Sequence, residues 1–360
     1  SIADPFLPKK IEEGRPEDIR ECIGCNICYT GDGLGVPIRC TQNPTMGEEW
    51  RRGWHPEFIA KKGSESSVLV VGAGPAGLEA TRALGQRGYR VTLAEATREL
   101  GGRVTRESRL PGLTEWQRVR DYRLQQIDVM PNVEVFRESE LNVDEVLAVE
   151  ADHIVFATGA AWRADGFGRS HLHPLTALSP GARILTPDDI MAGHLPDGPT
   201  VIFDDDSFYM GGVIAEQVRR ANVPVSVVTP ENVVSAWCEY TSEQYQVQKH
   251  LLELGIEIKT AHSLLAYDGR EVTISCIHTG GQQSIKADAL IMVTARRPRD
   301  ELYQDLNRRL ESGVQTPFRS VRRIGDCEAP AIIAAAVHSG HRYARELDTE
   351  PDPDVPLRLE

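Results

Sequence analysis

The chain has 360 residues, 41% hydrophobic and 26% charged, enough for two or three domains with real cores. Its 40 Lys and Arg against 53 Asp and Glu give a formal net charge of −13, which argues against a nucleic-acid binder and against attraction to an anionic membrane. No apolar run approaches the ~20 residues of a spanning helix, and Ser1 to Lys10 lack the charged and apolar regions of a signal peptide, so a cytoplasmic location is expected.

Residues 1–66 show little hydrophobic periodicity and are rich in Gly, Pro and Cys, with Trp50, Trp54 and Phe58 as punctuation. Something other than a large core must organise them, and a bound metal centre would. Four of the seven cysteines fall here, as Cys22-x2-Cys25-x2-Cys28-x11-Cys40. Three thiolates at three-residue intervals can wrap one centre while a fourth arrives from the next loop. Gly24, Gly31, Gly33 and Gly35 would allow the turns. Soft thiolates select iron–sulfur clusters or zinc. A compact triplet plus one distant Cys favours a [4Fe–4S] cluster, and zinc remains the alternative. With four Cys ligands such a cluster has no open position, so its work is one-electron transfer.

The pattern changes at Ser67. VLVV (68–71) reads as a buried strand, Leu78–Arg87 as a helix and RVTLAE (90–95) as a second strand. Between them lies G-x-G-x-x-G, with Gly72, Gly74 and Gly77 as its glycines and Ala76 before the last. After a strand and opening a helix, this is the turn that lets backbone approach a pyrophosphate. Glu95 ends the next strand, where it can accept from ribose hydroxyls and would repel a 2′-phosphate. Gly101, Gly102 and Arg103 give a second backbone approach with a cation beside it. Gly325-Asp326 could meet a ribose or ribityl group. An adenosine-diphosphate moiety is expected here, and ADP and FAD present the same one.

A further strand is HIVFATG (153–159). The strand–helix–strand unit then recurs as TVIFDDD (200–206), VIAEQVRRA (213–221) and VPVSVVT (223–229), followed by the strand ALIMVTA (289–295). Here Asp204, Asp205 and Asp206 replace the turn glycines, so this unit should keep the nucleotide fold without the nucleotide. AIIAAAVHSGHRYARELD (331–348) reads as a helix and EPDPDVPLRLE as an extended tail. The fold class is α/β: an iron–sulfur segment (1–66), a discontinuous nucleotide-binding domain (67–171 and 296–347), an inserted degenerate NAD(P)-type domain (172–295) and a tail (348–360).

Other candidates read as structural. His338 and His341 show no partner in sequence and are expected to pack or face solvent, His171 and His173 to sit in a loop, and Arg296-Arg297-Pro298-Arg299 to form a solvated turn. Cys327 is expected as a packed thiol. No Ser/His/Asp or paired-carboxylate arrangement stands out, so no catalytic residue is assigned.

The motifs Ile2-Ala3-Asp4-Pro5-Phe6, ECIGCNIC, Cys40-Thr41-Gln42-Asn43-Pro44, GAGPAG, Ala157-Thr158-Gly159 and Ile324-Gly325-Asp326 resemble the trimethylamine, dimethylamine and histamine dehydrogenases and, more distantly, dienoyl-CoA reductase. The resemblance covers essentially the whole chain. It implies that a (β/α)8 barrel carrying FMN oxidises an amine, that a [4Fe–4S] cluster takes the electrons singly, and that an electron-transfer flavoprotein or similar acceptor receives them. The barrel, ~250 residues, has no room here, so it is expected on another polypeptide or removed. The Asp run resembles the amine dehydrogenases, which hold ADP in the first site, more than a dienoyl-CoA reductase with FAD and NAD(P)H. The resemblance also implies an oligomer, and in the related enzymes the neighbourhood of Trp116, Arg118 and Tyr122 docks the acceptor. A zinc-bound, nucleotide-sensing scaffold is the alternative of another class.

Overall fold

A computed structural model of the chain describes residues 2–349. Residues 350–360, read above as an extended tail, lie outside the described residues. The chain forms two compact units, one holding residues 2–108, 115–160 and 298–349, the other residues 109–114 and 161–297.

The first unit is built on a five-stranded sheet in the order Ser320–Arg323, His153–Phe156, Ser67–Val71, Arg90–Ala94, Val133–Phe136, all parallel. Ser67–Val71 and His153–Phe156 are buried along their whole length, as expected of apolar runs covered on both faces. The chain leaves Ser67–Val71 toward Arg90–Ala94 on one side and later returns to His153–Phe156 on the other. The turn after Val71 therefore stands at a topological switch point, beyond the carboxyl ends of the strands, where open α/β sheets receive ligands.

The helix Pro75–Arg87 starts with Pro at a position that lacks an intrahelical N–H partner anyway and ends at Gly88 in the left-handed conformation. Its buried Leu78 and Leu84 meet Val68, Val70, Leu93 and Ile324 in one core. The helix Ile333–Glu346 lies close against it. Gly340 makes that approach possible: a Cβ there would stand 2.1 Å from the Ala76 carbonyl oxygen.

Residues 2–66 contribute three short helices, Leu7–Glu12, Ile27–Leu34 and Glu49–Arg52. Gly31 and Gly33 lie inside the second helix instead of in the turns expected of them. Polar contacts hold the segment together. Asp4 is fully buried and accepts from Lys10 Nζ at 2.8 Å, from Arg20 N at 2.8 Å and from Phe6 N at 3.0 Å. Asn43 Nδ2 donates to the Ile2 carbonyl at 3.1 Å, so two of the sequence motifs fold onto each other.

The second unit repeats the plan. Its parallel sheet runs Ile184–Leu185, Ala289–Val293, Thr200–Asp204, Val225–Val228, Glu257–Lys259. A three-stranded antiparallel sheet, His262–Tyr267, Glu271–Cys276 and Gln282–Lys286, is added to it. No helix among the described residues is long and apolar enough to cross a membrane.

Candidate functional site

The four N-terminal cysteines come together. Cys22 is exposed, and Cys25, Cys28 and Cys40 are half-buried. Cys25 lies within electrostatic reach of Cys40 and Cys22, and Cys40 of Cys28. Backbone donors face the sulfurs. Gly24 N–H donates to Cys22 Sγ at 3.4 Å, Ile27 N–H to Cys25, and the N–H groups of Gln42 and Asn43 to Cys40. Gly24 adopts φ +69° to do so, a conformation that costs a glycine little. Thr41 Oγ1 lies 3.1 Å from Cys25 Sγ. Burial pushes the Cys25 and Cys40 thiols up, so a metal would bind there with release of protons.

This donor set fits a thiolate-bound iron–sulfur centre. Four soft ligands sit in a partly dry setting, and N–H groups aim at sulfurs that would carry negative charge. Among the described residues no three His, Cys, Asp or Glu close on one point as a single ion requires.

The neighbourhood of Trp116, Arg118 and Tyr122 is not a uniform exposed face. Trp116, Cys25 and Ile333 all pack against one buried cluster of Ile23, Val104, Val119 and Val337. Arg118 Nη1 donates to the Cys22 carbonyl at 3.0 Å, and the guanidinium pairs with Glu21 at 3.2 Å and Glu115 at 2.7 Å. Tyr122 is buried, with the guanidiniums of Arg20 and Arg82 5.4 and 6.0 Å from its ring centre.

At the glycine turn each residue has a separate task. Gly72 has φ +101°, and a Cβ there would lie 2.6 Å from the Ala157 carbonyl oxygen. A Cβ on Gly77 would lie 1.9 Å from the Gly72 carbonyl oxygen, so this glycine lets helix meet strand. A Cβ on Gly74 would meet nothing within 4 Å. That is the open side from which a phosphate could reach the backbone. The first helical turn has no side-chain cap, which leaves amide donors and the positive dipole end for an anion.

The other predicted residues assemble round this turn. Glu95 Oε2 accepts the Ala73 N–H at 2.8 Å, while Oε1 accepts the Thr97 N–H and hydroxyl at 3.0 and 2.8 Å. Glu95 thus braces the loop and keeps lone pairs for a further donor. A Cβ on Gly102 would stand 3.2 Å from Gly74 Cα, so two glycines border one cleft. Arg103 Nη2 donates to the Ala160 carbonyl at 3.0 Å and lies 3.7 Å from Glu107. Gly325 abuts Ala76, where a Cβ would come within 2.6 Å of the alanine methyl. This sets Asp326, which accepts the Ala331 N–H at 3.1 Å, beside the helix start.

The matching turn of the second unit is closed by side chains. Asp204 is fully buried, accepts the Ser207 N–H at 3.0 Å through Oδ1, and has no hydrogen-bond partner at Oδ2. Burial, then Asp206 and Asp205, push its carboxyl up to about 8. A Cβ on Gly211, in the first turn of the helix Tyr209–Arg220, would stand 2.4 Å from Asp204 Oδ2. Phe208, at the start of that helix, stacks edge-on against Tyr209 and Trp237, with ring centres 4.6 and 4.5 Å apart.

Among the remaining residues, Cys327 is packed and His171 lies in a loop, both as expected. His338 Nε2 lies 3.2 Å from Glu48 Oε1, and His341 Nδ1 lies 2.8 Å from Glu79 Oε1. Both have carboxylate partners from distant parts of the chain. His171 Nε2 meets Ser263 Oγ at 3.1 Å. Arg296 is in a short strand, Arg296–Pro298, not a solvated turn, with its guanidinium 5.5 Å from the Trp162 ring centre. Cys327 is buried and accepts from Thr158 Oγ1 at 3.1 Å.

Sequence reasoning missed a buried ionic seam beside the cysteines. Glu79, fully buried on the glycine-turn helix, pairs with Arg82 at 2.6 Å and Arg123 at 2.8 Å. A carboxylate on the apolar face of AGLEATRAL, three residues before an arginine, was the available signal.

Comparison with known proteins places this geometry. Residues 66–175 match the family described as pyridine nucleotide-disulphide oxidoreductase. Dimethylamine dehydrogenase of Hyphomicrobium sp. (strain x) is 38% identical across 100% of this chain and 52% of its own length. Histamine dehydrogenase from Rhizobium sp. 4-9 superposes with a TM-score of 0.96 at 51% identity, covering 100% of this chain and 56% of that one. The 6-hydroxypseudooxynicotine amine oxidase from Pseudomonas geniculata N1 gives 0.92 at 44% identity, covering 97% and 52%. The chain spans about half the length of these relatives. Over the half that it spans, it is similar in sequence and fold to the dimethylamine and histamine dehydrogenases, which are oxidoreductases.

Proposed function

We propose that this chain is the electron-transfer portion of an iron–sulfur amine dehydrogenase that acts by oxidative N-demethylation or deamination. Cys22, Cys25, Cys28 and Cys40 would hold a [4Fe–4S] cluster, and the glycine turn an ADP. A bound cluster of this kind supplies one-electron transfer. The observation that carries the reading is the convergence of the four cysteines under N–H donors from Gly24, Ile27, Gln42 and Asn43.

Amine oxidation belongs to residues outside this chain, on an FMN-binding barrel. Large apolar side chains exposed between Ile2 and Phe58, including Ile11, Tyr29, Leu34 and Trp50, give the cysteine-bearing segment a surface such a partner could cover. On the acceptor side, exposed Cys22, with Arg118 on its carbonyl and Trp116 on the same apolar cluster as Cys25, offers a charged and aromatic rim for an electron-transfer flavoprotein. We assign the residues to an iron–sulfur segment (1–66), an ADP-binding domain (67–171 with 296–347) and an inserted domain (172–295) closed to nucleotide. None of the seven cysteines is in a disulfide, as suits the reducing cytoplasm.

The chain's own residues have defined tasks. The thiolates bind, and the backbone amides around them stabilise negative sulfur. The open face at Gly74 and the uncapped helix start receive the pyrophosphate, while Glu95 fixes the loop and faces the ribose. Asp204 and the Phe208–Trp237 pair deny the second turn to a dinucleotide.

Anaerobic purification with its partner chain tests this. Four irons per chain, visible absorbance that bleaches on reduction, and non-fluorescent ADP released on denaturation are expected. Zinc in place of iron would favour the scaffold alternative. Released FAD, with bleaching by NADPH, would favour the reductase alternative.

A further inference from the structure

Behind Cys40 the first unit buries more positive than negative charge. Arg20, Arg82 and Arg123 are 2%, 3% and 0% exposed. Two fully buried carboxylates face them: Glu79, bonded to Arg82, Arg123 and His341, and Asp4, which accepts the Arg20 N–H at 2.8 Å and holds Lys10, itself buried, at 2.8 Å, so the buried cations still outnumber the buried carboxylates. Glu57, 3.3 Å from Arg20, is a quarter exposed. Burial pushes His341 down to about 4, so it brings no charge at neutral pH, and Arg345 lies beyond it at 3.0 Å. Tyr122 supplies only a ring face between Arg20 and Arg82. An excess of buried cations is costly unless an anion lies close by. Four thiolates around iron are such an anion, and reduction makes it more negative.

Gln42 makes the connection. It is 1% exposed, and its N–H donates to Cys40 Sγ. Its Nε2 donates to the carbonyl of Glu21, next to Cys22, at 3.0 Å. Arg123 holds both of its oxygens: Nη1 reaches Gln42 Oε1 at 3.0 Å and Nη2 reaches the Gln42 main-chain oxygen at 3.2 Å. The helix Arg118–Asp128 carries this fork, and Glu79 anchors it from the helix of the glycine turn.

We propose that Arg123 is a positioning residue for the iron–sulfur centre: it clamps the Gln42 peptide against Cys40 and, with Arg20, supplies buried positive charge that favours the reduced state. The inference rests on the cluster reading above. Hydrogen bonds to cluster sulfur and local net charge are the protein's levers on such a potential.

The test is an anaerobic, mediator-linked titration of the complete protein with dithionite, followed by electron paramagnetic resonance. Arg123→Gln should keep its iron, since Glu79 retains Arg82 and His341. It should lower the equilibrium constant for one-electron reduction about tenfold, about 59 mV. Arg20→Gln, which removes charge but leaves the Gln42 clamp, should shift the midpoint in the same direction by less. It also decides the matter if Arg123→Gln does not fold. A fully loaded Arg123→Gln or Arg20→Gln protein with the wild-type midpoint overturns the proposal. Wild-type protein without iron overturns instead the cluster reading beneath it, so iron is measured first.

Discussion

Replacing Asp204 by Asn should change the pH dependence of stability in a calculable way. The carboxyl is fully buried, has one hydrogen bond at Oδ1 and none at Oδ2, and faces Asp205 and Asp206, with Cys238 nearby. In the fold it titrates at about 8 instead of 3.8. Between those values the folded state holds a proton that the unfolded chain has released. Stability therefore falls as pH rises through this window. At ~1.4 kcal/mol per pKa unit, the full penalty is on the order of 5 kcal/mol, and about 2–3 kcal/mol of it develops between pH 5 and pH 7. Asn keeps the acceptor for the Ser207 N–H and cannot ionise. The difference in unfolding free energy, variant minus wild type, should climb by about one proton's slope, ~1.4 kcal/mol per pH unit. Near neutrality that is several degrees of Tm for a unit of this size. Thermal and urea unfolding of both proteins at matched pH values measure it. A difference that stays flat from pH 5 to pH 7 would mean that Asp204 is ionised in the fold, and the reasoning would fail.

Four more outcomes are expected. Gly77→Ala puts a methyl 1.9 Å from the Gly72 carbonyl oxygen, and should cost more than ~2 kcal/mol and strip the nucleotide, read by unfolding and by nucleotide retained through desalting. Cys40→Ser should abolish iron retention in the purified protein while the second unit's sheet stays folded, as hydrogen exchange would show. Glu79→Gln leaves Arg82 and Arg123 buried without their carboxylate, so urea unfolding of the first unit should show a loss of about 3–5 kcal/mol. His341, which burial depresses to about 4 from 6.5, is neutral in the fold while the unfolded chain binds a proton. Stability should fall as pH drops from 6.5 toward 4, and His341→Gln should flatten that acid limb by on the order of 3 kcal/mol.

The sequence was most legible where function or topology fixes residue type locally. VLVV and HIVFATG were visible as buried strands because parallel strands covered on both faces carry no polar alternation. The glycine turn was visible because Gly72 and Gly77 face carbonyl oxygens that leave no room for a Cβ. The spacing singled out Cys22, Cys25, Cys28 and Cys40, which the structure brings within electrostatic reach of one another. What escaped was long-range pairing. His338 and Glu48 are 290 residues apart, and His341 and Glu79 are 262 apart, so nothing near either histidine announces a carboxylate. Arg123 sits in RVRDYRLQQID, a polar helix with little apolar patterning, yet its side chain is completely buried. The antiparallel sheet at 262–286 was also unread: Gln282–Lys286 is mostly exposed and has no alternating apolar face.

On the proposed reading, the two units keep or lose a ligand on one topology through a few side chains. Both place a fully buried strand at the sheet centre and start a helix just beyond it. In the first, the residues between are Gly72, Ala73 and Gly74, and a Cβ on Gly74 would meet nothing within 4 Å. In the second, Asp204 abuts the helix's first turn at Gly211, and aromatic rings crowd its start. A pyrophosphate entering there would meet fixed carboxyl groups. Repulsion between unit charges ~4 Å apart is about 4 kcal/mol at an effective dielectric near 20, against at most ~2 kcal/mol returned by a helix N-terminus. Keeping Asp204 protonated removes its charge but not its bulk, and Asp205 and Asp206 remain. On the proposed reading, hydride donation from a nicotinamide has no seat in the second unit. On the proposed reading, single electrons at the cysteine site are the currency left to this chain, which is why the buried charge behind Cys40 deserves the first measurement.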